Sequence, residues 1–456
     1  MARYRAARRA FIGARGDARG HTTAQMQGMT PPPALPPSPP RRFARRGLIA
    51  LPPAVAAPVP PIPVLAASVL AAAPPDWPAL ARGALAPIRT AMAAADGPVL
   101  LKSFTTEGRE PFDRVHAEVA FTYDNALAGL ALLAGGDRPA ATRIAEALRL
   151  VQQQDRHWAD GRLRNAYPAG RVFAEAPRSA RPPGWWDTSR GAWQEDGYQA
   201  GSAAGPLAFA ILLWTSLGNA SFLRAAEGAA NWLEGLRAPE GYRGGTIGHE
   251  PSPDLLPWGS TEQNLDLSIA FARLGRAAAS EHAGAFVRGM WLPAERRFAM
   301  GLTPDGQVNG GSALDANLWP SLAWPAGGFE GALDWVLSRH GLPAGAPAAE
   351  LNGLDFDDDR DGIWLEGTAQ ALLLLRRLGR DALAARFVAT LARHRRPDGW
   401  IAAASIPWLT TGLGTGLRPG VADFLYPARG HLAANAWAAL AALDANPFGT
   451  PGSRGN

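Results

Sequence analysis

A chain of 456 residues, 47% hydrophobic and 19% charged, is long and apolar enough to bury a large core. It contains no cysteine, which excludes disulfides, thiolate metal sites and a lipid-modified cysteine anchor. Its net charge of +5 sits at one terminus: residues 1–47 hold ten arginines against one aspartate, a net +9, leaving −4 elsewhere and no general argument for nucleic-acid binding.

Residues 1–73 read as a basic, Pro/Ala-rich leader. Arg45-Arg46 precedes an apolar run from Leu48 that closes on Ala71-Ala72-Ala73. A charged segment, an apolar stretch and an Ala-x-Ala end describe an export signal, and the paired arginines resemble the twin-arginine type. The expected location is therefore periplasmic or extracellular. Six prolines between Pro52 and Pro63 break the apolar run, so it is no spanning helix, and no later segment suits a bilayer. Residues 74–448 are expected to form one domain, and 449–456 a frayed tail.

Beyond residue 74 the apolar spacing is helical, with little strand-like alternation. Segments rich in Ala, Gly and Leu, at 119–133, 202–214, 262–274, 314–324, 365–378 and 431–443, suit helices packed on both sides. Between them run Arg-rich amphipathic segments at 77–94, 138–152, 224–236, 281–291, 329–338 and 381–394. Six inner and six outer helices in alternation predict an all-α fold, a closed (α/α)6 toroid. The long connections all precede inner helices, so they gather at one end, where a site is expected.

The helix mouths carry the chemistry. The first reads Thr122-Tyr123-Asp124-Asn125, with Thr122 able to cap. The second follows Trp185, Trp186, Trp193, Glu195 and Tyr198. The third is Trp258-Gly259-Ser260-Thr261-Glu262-Gln263-Asn264-Leu265-Asp266, where Ser260 and Gln263 have capping-box spacing and Glu262 and Asp266 share a face. The fourth holds Ser312, Asp315, Asn317 and Trp319; the fifth holds Asp355 to Asp361, Trp364 and Glu366; the sixth runs from Asp423 through Tyr426 to His431. One such mouth is helix capping. Six converging on one axis make a cleft of carboxylates, amides and aromatic rings, the lining suited to a carbohydrate, since indole and phenol rings join an apolar body to a polar edge.

The alternation, with Thr122-Tyr123-Asp124-Asn125-Ala126-Leu127, Ser260-Thr261-Glu262-Gln263-Asn264 and Trp364-Leu365-Glu366-Gly367, resembles the six-hairpin glycosidase superfamily over about residues 75–446. The resemblance implies an (α/α)6 fold and glycoside hydrolysis, often with inversion. Such hydrolysis needs a protonated carboxyl for the leaving oxygen and a carboxylate to activate water. Glu262 is the expected acid and Asp124 the expected base, with Glu366, Glu195 and Asp315 as competitors. Tyr123, Trp185, Trp186, Trp193, Tyr198, Trp258, Asn264, Asn317, Trp319, Trp364 and Tyr426 are expected to bind substrate.

No organic cofactor is expected. Asp357, Asp359 and Asp361 have the alternate spacing that opens a calcium loop, although Thr368 stands where that loop ends in Glu. Asp355-x-Asp357-Asp358 also resembles the acidic motif of class II terpene cyclases, without their aromatic repeats. A polysaccharide lyase would use Tyr123 or His249 as base and Arg243 or Asn264 against a uronate; a sugar epimerase would use His249, His282 or His431. A glycan-binding or assembly protein is the non-enzymatic alternative.

Overall fold

The computed structural model describes residues 74–449 except 109, 330, 416–420 and 423. The expected leader, Asp423 and the residues after Gly449 lie outside that range. The described residues all belong to one compact unit, Val69–Asn456.

Twelve helices dominate. The outer ones are α1 (Trp77–Ala93), α3 (Arg138–Gln153), α5 (Ala220–Glu234), α7 (Ala277–Gly289), α9 (Gly331–Arg339) and α11 (Asp381–Arg393). The inner ones are α2 (Thr122–Ala134), α4 (Ala204–Leu217), α6 (Thr261–Arg273), α8 (Leu314–Ala323), α10 (Leu365–Arg377) and α12 (Leu432–Ala442). Each inner helix packs on the next, and α12 packs on α2, so the inner ring is closed. The last inner helix also packs on α1, which makes the sixth hairpin from the two ends of the domain. The expected (α/α)6 toroid is present.

Two outer helices start earlier than their sequence pattern indicates. Asn219 caps α5 by accepting from Phe222 N, which extends it back over Ser221 and Leu223, and α7 begins in the run Ala277-Ala278-Ala279. The connections also contain strands of two to four residues, too short to show alternation. Several of these strands precede inner helices and pair with the segment that follows the next outer helix: Val119–Phe121 with Ala166–Pro168, Ser202–Ala203 with Gly245–Ile247, Gly259–Ser260 with Gly301–Leu302. Gly301 sits opposite Ser260 with φ 147°, where a Cβ would strike the Gly259 carbonyl.

A single backbone hydrogen bond repeats six times around the ring. The first N–H of each inner helix donates to a carbonyl of the following connection: Thr122 to Asn165, Ala204 to Gly244, Thr261 to Met300, Leu314 to Phe356, Leu365 to Ala403, and Leu432 to Ser103. These groups have no partner inside their own helices, so the contact both satisfies them and fixes each mouth to its neighbour. Three turns are tied on the other side by an asparagine in the fourth helical position. Asn125 exchanges bonds with Leu101 N and O, Asn264 with Tyr242 N and O, and Asn317 accepts from Phe298 N. Thr368 does the same for Leu354.

Below the mouths the axis is filled. Phe209, Trp319 and Trp437 pack together, and Phe448 closes the far end against all three. Arg273 holds that segment by donating to the Pro447 and Gly449 carbonyls.

Candidate active site

The stitched mouths put one residue per inner helix, the second helical position, around the axis. Those residues are Tyr123, Gly205, Glu262, Asp315, Glu366 and Ala433. Tyr123 Oη donates to Glu366 Oε1 at 2.8 Å and accepts from Trp437 Nε1 at 2.9 Å, so α2, α10 and α12 meet there. One residue on, Asp124 Oδ2 lies 3.4 Å from His431 Nε2, and His431 Nδ1 lies 3.7 Å from Glu366 Oε2. The imidazole is stacked on Phe104 with ring centroids 4.5 Å apart. Asp266 lies one turn below Glu262, beside Gly205.

Burial sets the protonation of these groups. It raises the Glu262 carboxyl well above the usual carboxylate range, with Asp315 and Glu366 adding like charge. Asp266 is raised well above it too, by burial and then by Glu262 and Asp315. Burial lifts Asp315 to about 6 and Glu366 to about 7. Burial lowers the proton affinity of His431, but Asp124 and Glu366 outweigh it, and the imidazole ends above its ordinary value. The phenols of Tyr198 and Tyr426 are raised by burial and by the nearby carboxyls. An aromatic arc, Phe121, Tyr198, Phe424, Tyr426 and Trp364, runs along the rim in successive ring contacts.

Solved structures share this architecture. A wild-type glycosidase superposes with a TM-score of 0.54 at 12% identity, over 81% of this chain and 98% of the other. The chain shares their fold, the (α/α)6 six-hairpin toroid. A glycosidase variant in complex with glucose gives 0.51 at 12% identity over 81% and 98%, and an α-amylase from Clostridium perfringens gives 0.52 at 10% over 80% and 97%. No protein-family model and no curated protein matches the sequence.

Within this six-hairpin ring the expected site residues separate into two sets. Asp124, Glu262, Asp315, Glu366, Tyr123, Tyr198 and Tyr426 meet at the mouth. Glu195 does not join them: Arg156 binds both its oxygens, at 2.8 and 2.7 Å, within a network that includes Glu250, Arg164 and Asp155. Asn264 and Asn317 are occupied by the backbone as described, and Trp319 is axial core with its Nε1 bonded to Gln370. Trp364 is 1% exposed, packed on Phe356 and Tyr426. Trp185, Trp186 and Trp193 lie on the hairpin Gly184–Asp187/Ala192–Glu195 against the short helix Pro111–His116, with Trp186 opposite Trp193 and both half exposed. Trp258 covers Gly244. Thr122 is the first helical residue and not the cap; its hydroxyl donates to the Arg164 carbonyl, whereas Ser260 does cap, accepting from Gln263 N. His431, stacked on Phe104, is the mouth residue that its neighbours in sequence least suggest.

The acidic loop gathers a different triplet from the one its spacing indicates. Asp355, Asp357 and Asp359 each offer an oxygen within 4.8 Å of the others, and could hold a hard cation. Asp361 is turned to Thr410, accepting from its N–H and hydroxyl. Beside this loop a cleft of about 400 Å³ is lined by Arg297, Ser312, Trp335 and Arg339 among others. Ser312 bonds His340, whose other nitrogen faces the Asp355 carbonyl. Burial lowers His340 to about 4, too weak a base to activate a serine at neutral pH, so the pair braces the loop.

Proposed function

We propose that the protein is a glycoside hydrolase that cleaves an oligo- or polysaccharide by carboxylate general acid/base catalysis. One observation carries the proposal: Glu262, a carboxyl that burial pushes well above the usual carboxylate range, opens onto the same axial mouth as Asp124, Asp315 and Glu366. Glu262 donates the proton to the leaving oxygen, and Asp124, oriented by His431, draws a proton from water. Between their helices stands α4, whose mouth position is Gly205, so α4 adds no side chain between the two carboxyls. Inversion, which requires the wider carboxyl separation, is the expected stereochemistry. The glycosidase and amylase names of the structural neighbours favour the same reading.

The lyase alternative finds less support. Asn264 is committed to the backbone and Arg243 bonds the Arg237 carbonyl, so neither group expected to neutralise a uronate is free to do so; His249 is exposed, and His431, the basic group at the mouth, lies between Asp124 and Glu366. Export of the enzyme through the 1–73 leader belongs to the proposal and is tested by fusing that segment to a periplasmic reporter.

The deciding experiment is mass spectrometry of products from residues 74–456 with neutral, amino and uronate-containing glycans. Fragments with one added water per cut support hydrolysis, and the product anomer read by proton NMR gives the stereochemistry. Unsaturated fragments would replace hydrolase by lyase. An uncut panel that nevertheless binds would favour a glycan-binding protein.

A further inference from the structure

Resting on the glycosidase reading, we infer that the sugar held in this mouth is cationic, an amino sugar with a free amine, and that Asp266 receives the ammonium group. The charge inventory is one-sided. Asp124, Glu262, Asp266, Asp315 and Glu366 converge from α2, α6, α8 and α10, and His431 of α12 is the one basic side chain among the causes of the raised proton affinities of Glu262, Asp266, Asp315 and Glu366. Nearby guanidinium groups are engaged elsewhere: Arg156 with Glu195 and Glu250, Arg164 with Asp155 and Glu250, Arg429 with Asp113.

Asp266 is the second, independent observation. It is 1% exposed, and neither carboxyl oxygen has a hydrogen-bond partner; Gln263 Oε1 beside it also has none. Buried polar atoms without partners are rare in folded proteins and mark where a ligand or water belongs. These are acceptors, and an ammonium group supplies three donors with no acceptor, whereas a hydroxyl supplies one donor. Gly205 of α4 packs against this pair: a Cβ there would stand 3.2 Å from Asp266 Oδ2 and from Gln263 Cγ. A metal ion fits less well. Among the described residues, the one acidic group close enough to share an ion is Asp355, Asp357 and Asp359, outside this ring.

Binding then has a proton signature. In the free protein burial raises the proton affinity of Glu262, Asp266, Asp315 and Glu366; an ammonium group takes over as counter-charge and drives protons off them. A neutral sugar has no reason to do so. The titrating groups facing the ligand are Asp124, Glu262, Asp266, Asp315, Glu366 and His431, with Tyr123, Tyr198 and Tyr426 at the rim.

The test is calorimetric titration of the full chain with glucosamine, glucose and N-acetylglucosamine, in two buffers of different ionisation enthalpy. Glucosamine is expected to bind at least about tenfold more tightly than the other two, the scale of a charge-assisted bond. It should release protons, and its affinity should rise from about pH 5 to about pH 7 as the carboxyls ionise. Asp266→Asn should bring the glucosamine-to-glucose ratio near one, and Gly205→Ala, which crowds Asp266 Oδ2, should weaken glucosamine more than glucose. Equal affinity for the three sugars, no glucosamine binding, or binding without proton release overturns the inference. The two readings fail separately: glucosamine binding with no glycan cut sinks the hydrolase, and hydrolysis of neutral glycans with no amine preference sinks only the amino sugar.

Discussion

At Glu262 burial, with two acids close by, raises the proton affinity of a carboxyl well above the usual range. Glu262→Gln keeps the shape and removes the transferable proton. Turnover should fall by roughly 10²- to 10⁴-fold, the usual range for a general acid, while thermal unfolding at pH 7 shows no loss of stability. Glu366 supplies a pH test. Burial raises its proton affinity from the ordinary 4.5 of a glutamate to about 7, so its stabilising contribution is fully present below about pH 4.5 and is lost as the pH rises through about 7. Glu366→Gln has no proton to lose and should gain on the wild type by up to about 3 kcal/mol between about pH 4 and about pH 8 in denaturant titrations. The mouth carboxyls were legible in the sequence because each opens a helix after a loop rich in Gly or aromatic residues. His431 was legible at the sixth mouth as an epimerase candidate, but not as the partner of Asp124 and Glu366, because that contact joins residues far apart in the chain; what misled at Glu195 was that an acid in a loop looks the same whether or not an arginine waits 39 residues earlier.

At the scale of the helix, the asparagine in the fourth position takes the role the sequence attributes to capping. Replacing Asn125 or Asn264 by Ala strands a backbone N–H and a carbonyl in the dry interior and should cost about 2–4 kcal/mol in urea unfolding. Asn435 donates only to the His431 carbonyl of its own helix start, and its Ala variant should cost about 1 kcal/mol. The inner helices were predictable to within about three residues because their Ala and Leu content has one cause, packing on both faces. The two-residue strands were not, because they arise from the encounter of loops distant in sequence, and no local pattern encodes that.

For the whole molecule the alternation of twelve helices was enough to expect a toroid, and ring closure was the part only three dimensions supply. Closure makes the domain one cooperative unit, so Phe448→Ala, which opens a void under Phe209, Trp319 and Trp437, should lower the single melting transition as a whole, by about 3 kcal/mol, without splitting it into two.

The sixth hairpin has a consequence for how the chain is born. Its first helix, α1, leaves the ribosome with an apolar face whose partner, α12, is made more than 300 residues later. Until then five hairpins can form an open arc, but the mouth lacks His431 and the axis lacks Trp437 and Phe448. The longest loop closure in the molecule is therefore also its last step, and the nascent chain has to shield α1 from other sticky surfaces for the whole time of its synthesis.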